Sequence, residues 1–317
     1  MSTVLITGSS GYLGTQLCRR LEADDAVQTI VGVDLAEPQE PFSKLRFFKL
    51  DCLGDMEAAF SLQPIDAVVH LVFVLNMTHN KTRMRRINVG SLENVLEHCH
   101  NHRVGRLVVT SSTTAYGAHA DNPVPLTEAD PLRATPSYQY AYDKIMVEAR
   151  LSVYQDLHPD CDVVIARPAI VLGPHAQNFL GRYVDRKIIP WTTRPAPMNL
   201  LHEEDIADAL HHLITQAPRG VYNVAPAEAV DLAQVLKESG RIIISLPSWL
   251  LRPLTQLAWW LRITLLTEAP GAMIDYIKHS WAADGSKIER ETTFRYRHTS
   301  RQALEDFLQR DQREANG

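Results

Sequence analysis

A short apolar run, Val4 to Ile6, passes directly into Thr7-Gly8-Ser9-Ser10-Gly11-Tyr12-Leu13-Gly14, and the helical pattern of Tyr12 to Ala23 begins inside that loop. Three glycines between a strand and a helix restrict the fold more than any other feature of the chain. Each removes a side chain that would block a tight turn, a close approach to the backbone, or the packing of helix on strand. The helix N-terminus behind them offers free N–H donors and positive potential, the arrangement that cradles a pyrophosphate. Gly8, Ser10, Gly11, Tyr12, Leu13 and Gly14 are therefore the candidate contacts on the phosphate side.

The next apolar run, Thr29 to Val33, ends in Asp34, twenty residues beyond Gly14. A carboxylate there accepts hydrogen bonds from both hydroxyls of an adenosine ribose and repels a 2′-phosphate, so the expected cofactor is NAD rather than NADP. Asp51, at the end of Phe47 to Leu50, falls with Cys52 where an adenine would lie, although a surface loop accounts for Asp51 equally well.

Strand-like runs continue at Ala67 to Leu71, Arg106 to Thr110 and Val163 to Ala166. Helical patterns separate them at Met56 to Ser61, Thr82 to His100 and Tyr138 to Leu157. Such alternation predicts an α/β fold, a doubly wound parallel sheet with right-handed crossovers. Beyond Arg167, Pro168, Pro174, Pro190, Pro195 and Pro197 break the chain into short pieces. With 317 residues the chain exceeds the ~250–300 at which single cores stop growing. We expect residues 1–170 to form the dinucleotide-binding domain, with 199–226 returning to it. Residues 171–198 and 227–317 are expected to form a smaller, mixed substrate domain, with the last residues, 309–317, frayed.

Composition removes several functions. With 32 basic and 37 acidic residues, no positive field exists for nucleic acid. Cys18, Cys52, Cys99 and Cys161 are scattered without a CxxC pair, which signals neither zinc nor disulfides and fits a reducing cytoplasm. Met1 to Thr7 lacks the marks of a signal peptide. His98, His100 and His102, like His211 and His212, have no accompanying carboxylate motif, so no metal is expected. Ile242 to Leu266 is apolar but interrupted by Pro247, Arg252, Pro253 and Arg262, too short for the roughly 18 residues of a spanning helix. It reads as a wall of the substrate domain, with an interfacial helix exposing Trp249, Trp259 and Trp260 as the alternative; no membrane partner is expected.

Of the tyrosines in Tyr138-Gln139-Tyr140-Ala141-Tyr142-Asp143-Lys144, only Tyr140 lies four residues before Lys144, which puts both side chains on one helix face. A phenol beside an ammonium and the positive nicotinamide is a candidate acid/base, its pKa drawn from ~10 toward neutrality. Tyr138 and Tyr142 read as packing or substrate contacts. The strand ending in Val109-Thr110-Ser111-Ser112-Thr113-Thr114 presents hydroxyls at the sheet's carboxyl edge, and Ser112 is placed to hold the reacting oxygen.

Together the Thr7 to Gly14 loop, Asp34, His70-Leu71, Asn88-Val89-x-Ser91, Ser111 to Gly117, Tyr140 to Lys144, Arg167-Pro168 to Gly173-Pro174, and His202 to Ala209 resemble the extended short-chain dehydrogenase/reductase family, also called the NAD-dependent epimerase/dehydratase family. The resemblance spans nearly the whole chain. It implies a NAD-binding Rossmann fold and a catalytic set of Ser112, Tyr140 and Lys144, with Lys144 also gripping the nicotinamide ribose. It places Leu71, Val72, Pro168 and Val171 along the cofactor and Thr113, Thr114 and Asn178 near the substrate. Asn88 is counted among the cofactor-binding residues and would maintain the active-site framework, or simply brace a helix. The helices at Thr82 to His100 and Tyr138 to Leu157 match those that relatives use to form a homodimer. His202 to Asp205 would start a helix, its acidic residues complementing the macrodipole.

Two positions depart from the pattern. Sugar dehydratases of the family carry Asp-Glu where this chain has Thr113 and Thr114, which disfavours dehydration. Many nucleotide-sugar epimerases carry a phosphate-gripping arginine where this chain has Met198, leaving Arg182, Arg186 or Arg194 to approach from elsewhere. The substrate is thus a small molecule, either a nucleotide sugar or an apolar, steroid-like or lipid-like hydroxy or keto compound. The expected activity is hydride exchange with a secondary alcohol or ketone, as an oxidoreductase or epimerase; a non-catalytic NAD-sensing protein is the competing expectation.

Overall fold

The computed structural model describes residues 3–310; Met1, Ser2 and 311–317, which include most of the stretch expected to fray, lie outside the described residues. The strands are β1 (Thr3–Thr7), β2 (Thr29–Asp34), β3 (Leu45–Lys49), β4 (Ala67–His70), β5 (Arg106–Thr110), β6 (Asp162–Pro168), β7 (Ile170–Leu172), β8 (Ile188–Thr192), β9 (Leu200–His202), β10 (Gly220–Val224) and β11 (Ile242–Leu246). The helices are α1 (Tyr12–Glu22), α2 (Glu57–Phe60), α3 (Lys81–Asn101), α4 (Gln139–Leu157), α5 (Phe179–Val184), α6 (Glu203–Thr215), α7 (Leu232–Glu238), α8 (Ser248–Trp260), α9 (Met273–Lys278), α10 (Ser286–Glu291) and α11 (Ser300–Leu308).

Seven strands form one parallel sheet in the order β10-β6-β5-β4-β1-β2-β3. The expected doubly wound architecture is present. Its cause is visible in β1, whose alternating side chains are buried on both sides. Val4 and Ile6 join Leu17 and Leu21 of α1 and Leu210 and Leu213 of α6, whereas Leu5 joins Leu92 and Val95 of α3 and Val147 and Leu151 of α4. Each such fully buried side chain contributes about 1.5–3 kcal/mol of transfer free energy.

A third apolar cluster, centred on Trp191, Leu232, Leu236, Leu304 and Phe307, lies beyond the sheet. There β7 pairs with β9 and β8 with β11, giving two small parallel ladders. The proline-broken stretch after Arg167 thus makes short strands and α5, as its sequence suggests, and β10 returns to the edge of the large sheet beside β6.

Candidate active site

Between β1 and β4 the strand order reverses, and ligands of open α/β sheets bind in the crevice at that point. A cavity of about 550 Å³ opens there, lined by the glycine loop, Leu71 after β4, Thr110 to Ser112 after β5, Tyr140 and Lys144 of α4, and Pro168 to Val171 after β6.

The loop fits a pyrophosphate-bearing cofactor. Gly8 has φ +79°, and a Cβ on it would lie 3.2 Å from the Val72 amide. On Gly14 a Cβ would sit 2.1 Å from the Gly8 carbonyl oxygen, so neither position accepts a side chain. Gly11 caps α1, whose first turn contains no acidic residue. The Ser10 hydroxyl is buried without a hydrogen-bond partner, an orphaned donor that a phosphate oxygen can satisfy. Asp34 lies across from the loop: its carboxylate accepts from the Ser10 amide at 3.0 Å and from the Ala36 amide at 3.1 Å.

Several residues singled out from the sequence are placed differently. The exposed Asp51 carboxylate accepts from the Leu53 amide at 2.9 Å and shapes a turn. Cys52 turns its thiol into the core, where burial pushes it up to about 12, so it offers a cofactor only backbone. Asn88 does not line the cavity. It is fully buried, accepts from the Val74 amide at 2.7 Å and donates to Asp143 at 3.1 Å, bracing the loop after β4 against α4. Thr113 donates to the Pro168 carbonyl at 3.3 Å and stands outside the cavity lining, unlike Thr114 and Asn178. Asn178 caps α5 and donates to the Val171 carbonyl at 2.6 Å, which ties the expected substrate segment to the cofactor side.

Ser112, Tyr140 and Lys144 converge. Ser112 caps the short turn Thr113–Tyr116, accepts from Thr114 Oγ1 at 2.9 Å and hydrogen-bonds Tyr140. One helical turn on, Lys144 donates to the Thr110 carbonyl at 2.7 Å, with Nζ 3.4 Å from the centre of the Phe73 ring. Burial brings Lys144 down to about 7, opposed by Glu148 and then Asp143.

The Lys144 ammonium by itself does not lower the pKa of the Tyr140 phenol. Burial pushes it up to about 12, against the Ser112 hydrogen bond that pulls it down. The physical reason is orientation: the Lys144 ammonium is 5.8 Å from the centre of the Tyr140 ring and is committed to Thr110 and Phe73. Tyr138 lines the cavity and packs on Tyr276 at 4.8 Å, whereas Tyr142 lies under Arg85 outside the lining.

Sequence reasoning missed the buried chain that supports this site from behind. Ser111 donates to Glu148, Glu148 pairs with Arg167 at 2.7 Å, Arg167 donates to the Tyr116 hydroxyl at 2.8 Å, and that hydroxyl donates to Asn223 at 2.8 Å. The available signal was Glu148 one turn after Lys144, facing an arginine immediately before Pro168. His202 does cap α6 and accepts from the Glu204 amide at 3.2 Å. Glu203 does more than complement a dipole: it accepts from the Tyr12 hydroxyl at 2.5 Å and binds His175.

Among the described residues, Glu57, His98 and His102 cluster, as do His202, His298 and Asp306. In each cluster the ligand atoms all lie within 4.8 Å of one another, a spacing that could hold an ion although no metal motif stands in the sequence.

The model of the NAD dependent epimerase/dehydratase family matches residues 4–225. An uncharacterized protein of Mycobacterium tuberculosis is 24% identical over 314 residues, covering 96% of this chain and 83% of the relative. The UDP-glucose 4-epimerase of Erwinia amylovora is 28% identical over 277 residues, 74% of this chain and 81% of that protein. A solved UDP-glucose 4-epimerase of Thermotoga maritima superimposes with a TM-score of 0.78 at 16% identity over 99% of both chains, a likeness of fold.

Proposed function

Because the chain belongs to the NAD dependent epimerase/dehydratase family, we propose that it is a NAD-dependent oxidoreductase or epimerase acting on a secondary alcohol or ketone, with Tyr140 as its acid/base. The observation that carries this reading is the meeting of Ser112, Tyr140 and Lys144 in the same cavity as the glycine loop. Gly8 to Gly14 and Asp34 hold the cofactor's pyrophosphate and ribose, and Pro168 to Val171 flank its nicotinamide. Bound NAD supplies the carbon that takes or returns hydride.

The chain's own residues handle the proton. Ser112 donates to the substrate oxygen and fixes it beside Tyr140, whose Oη gives or removes the hydroxyl proton. Lys144, one turn below the phenol and anchored to the Thr110 carbonyl, grips the nicotinamide ribose and so fixes the cofactor beside Tyr140. With threonines at 113 and 114, no carboxylate stands ready for water elimination, which supports oxidation or epimerisation over dehydration. Residues 1–170 and 199–226 serve the cofactor, and 171–198 with 227–317 the substrate. The four described cysteines are buried and free, consistent with a reducing cytoplasm. A homodimer through α3 and α4 would cover the exposed Val153 and Leu157, and light scattering tests it.

The deciding experiment is Tyr140→Phe, assayed by NADH absorbance and by product analysis against secondary alcohols, ketones and nucleotide sugars. Turnover should fall by roughly 10²–10⁴-fold with NAD affinity retained. Undiminished turnover would remove Tyr140 from the chemistry. Nucleotide released from the denatured protein distinguishes the two outcomes: stoichiometric retained NAD marks an epimerase, and exchangeable NAD a dehydrogenase.

A further inference from the structure

Resting on that redox reading, we propose that the substrate is an uncharged hydroxy or keto compound with an extended apolar body, bound without any phosphate. Past Tyr140 the cavity is walled by Leu75, Trp191, Leu254, Ala258, Ile274 and Ile277. Among the described residues, Lys144 is the one charged side chain of the lining, and it sits at the catalytic end, bonded to Thr110.

Of the three arginines suited to a diphosphate, Arg182 and Arg186 are engaged elsewhere and Arg194 stands outside the cavity. Arg182 binds Glu268 at 2.7 Å and Asn76 at 2.9 Å, while Arg186 binds the Leu265 and Leu266 carbonyls. Arg194 is exposed outside the lining, and the buried Met198 contributes a thioether to it. A diphosphate taken into such surroundings loses its hydration without a compensating cation, which disfavours its binding there. A more open cleft alongside contains Lys81, Arg182 and Arg262, but none of Ser112, Tyr140 and Lys144.

The test is calorimetric titration of the NAD-loaded full-length protein with methyl ketones from butanone to decanone, and with UDP-glucose. Each buried methylene is worth ~0.8 kcal/mol, so affinity should rise roughly fourfold per carbon until the cavity is full. Ala258→Trp, which fills the far wall, should stop the rise at a shorter chain. A flat series, a rise unchanged in Ala258→Trp, or tighter binding of UDP-glucose than of any ketone would overturn the proposal. Because this is binding, it stands or falls separately from the loss of turnover in Tyr140→Phe.

The outer side of α8 and the turn after it is also apolar. Trp249 is 76% exposed, Trp260 70% and Leu265 85%. We infer that this face rests on an anionic lipid surface. No acidic residue occurs from 249 to 266, whereas Arg262 is exposed there, as is Arg252, which pairs with Asp275 at 3.4 Å, a charge pattern that complements acidic headgroups. Patches of this kind are rare on a surface that meets only water. Leu254 and Leu266, 49% and 59% exposed, also line the cavity, so the outer face and the cavity share residues. Among the described residues no helix is long and apolar enough to cross a membrane, which makes the contact peripheral.

Sedimentation with phosphatidylglycerol vesicles should carry the wild type down at low salt, and phosphatidylcholine vesicles should do so less. The triple change Trp249→Ser, Leu257→Ser, Trp260→Ser should leave the protein in the supernatant with NAD affinity intact. Wild type that stays in solution, a variant that still sediments, or a wild-type dimer that the triple change converts to monomer would overturn the inference, the last by making the face a self-interface.

Discussion

Lys144 Nζ lies 3.4 Å from the centre of the Phe73 ring, and the same ring meets Tyr140 edge-on at 5.3 Å between centroids. The ammonium is therefore held by an aromatic face and one carbonyl in place of water. Its pKa near 7 should be visible as a near-neutral titration of the Lys144 side-chain carbon in ¹³C-lysine NMR spectra. Phe73→Leu removes a cation–π contact worth about 1–2 kcal/mol, which favours the charged form, so the titration should move down by roughly one unit. A value in the ordinary lysine range would mean that the ammonium is solvated.

Asn88 bonds on both sides of its amide, to Val74 and Asp143. Asn88→Ala leaves a half-buried amide and a fully buried carboxylate short of a partner, at about 1–3 kcal/mol each at most. Chemical denaturation should show that loss, with NAD affinity changed less than threefold (on the order of the 0.6 kcal/mol that such a factor represents). Unchanged stability with lost NAD affinity would instead make Asn88 a cofactor contact.

Asp34 reaches Ser10 and Ala36 through different oxygens and occupies the end of β2 facing the loop. In Asp34→Ala, the repulsion of a 2′-phosphate and the ribose hydrogen bonds disappear together. NAD should weaken by roughly 10–100-fold, on the scale of one or two charge-assisted bonds, and the preference over NADP should shrink. Competition titration of the two nucleotides measures both. An unchanged ratio would remove Asp34 from the discrimination.

His70 is buried between Thr7 Oγ1, at 2.7 Å, and Ser91 Oγ, at 3.4 Å, and burial lowers its pKa from 6.5 to about 3. Between those values the unfolded chain binds the proton and the folded one does not. Stability therefore falls as pH drops from 6.5 toward 3, by up to about 1.4 kcal/mol per pH unit. Urea midpoints measured at descending pH should fall less steeply in His70→Gln; equal slopes would assign the acid sensitivity to other groups.

The glycine loop, Asp34 and the Tyr140–Lys144 pair were legible because each is a local spacing: a turn between strand and helix, a strand end, a helix turn. The alternation of apolar runs gave the parallel sheet for the same reason, since it needs both faces of β1 buried. What escaped was contact between distant segments. Nothing in the run His70-Leu71-Val72-Phe73 says that Phe73 will lie under Lys144, and a Cys52 beside an exposed Asp51 does not announce that its thiol faces inward. The share of Lys144 in tuning the phenol was not legible either, because spacing reports that two side chains share a face but not which way the ammonium points. Likewise Ile242 to Leu266 was legible as apolar, whereas its two sides, one on the cavity and one outward, follow only from its packing on α9 and β8.

The pairing of β10 with β6 sets a timetable for biosynthesis. Until residue 224 has emerged, β6 is an open edge, with the hydrogen-bonding row that β10 will satisfy left bare. The ribosome needs roughly 3 to 10 s to make the intervening stretch at about 5–20 residues per second. Nascent chains stalled within that interval carry β6 paired with β5 on one side and bare on the other, and so are the species of this protein most open to capture by another chain or by a chaperone.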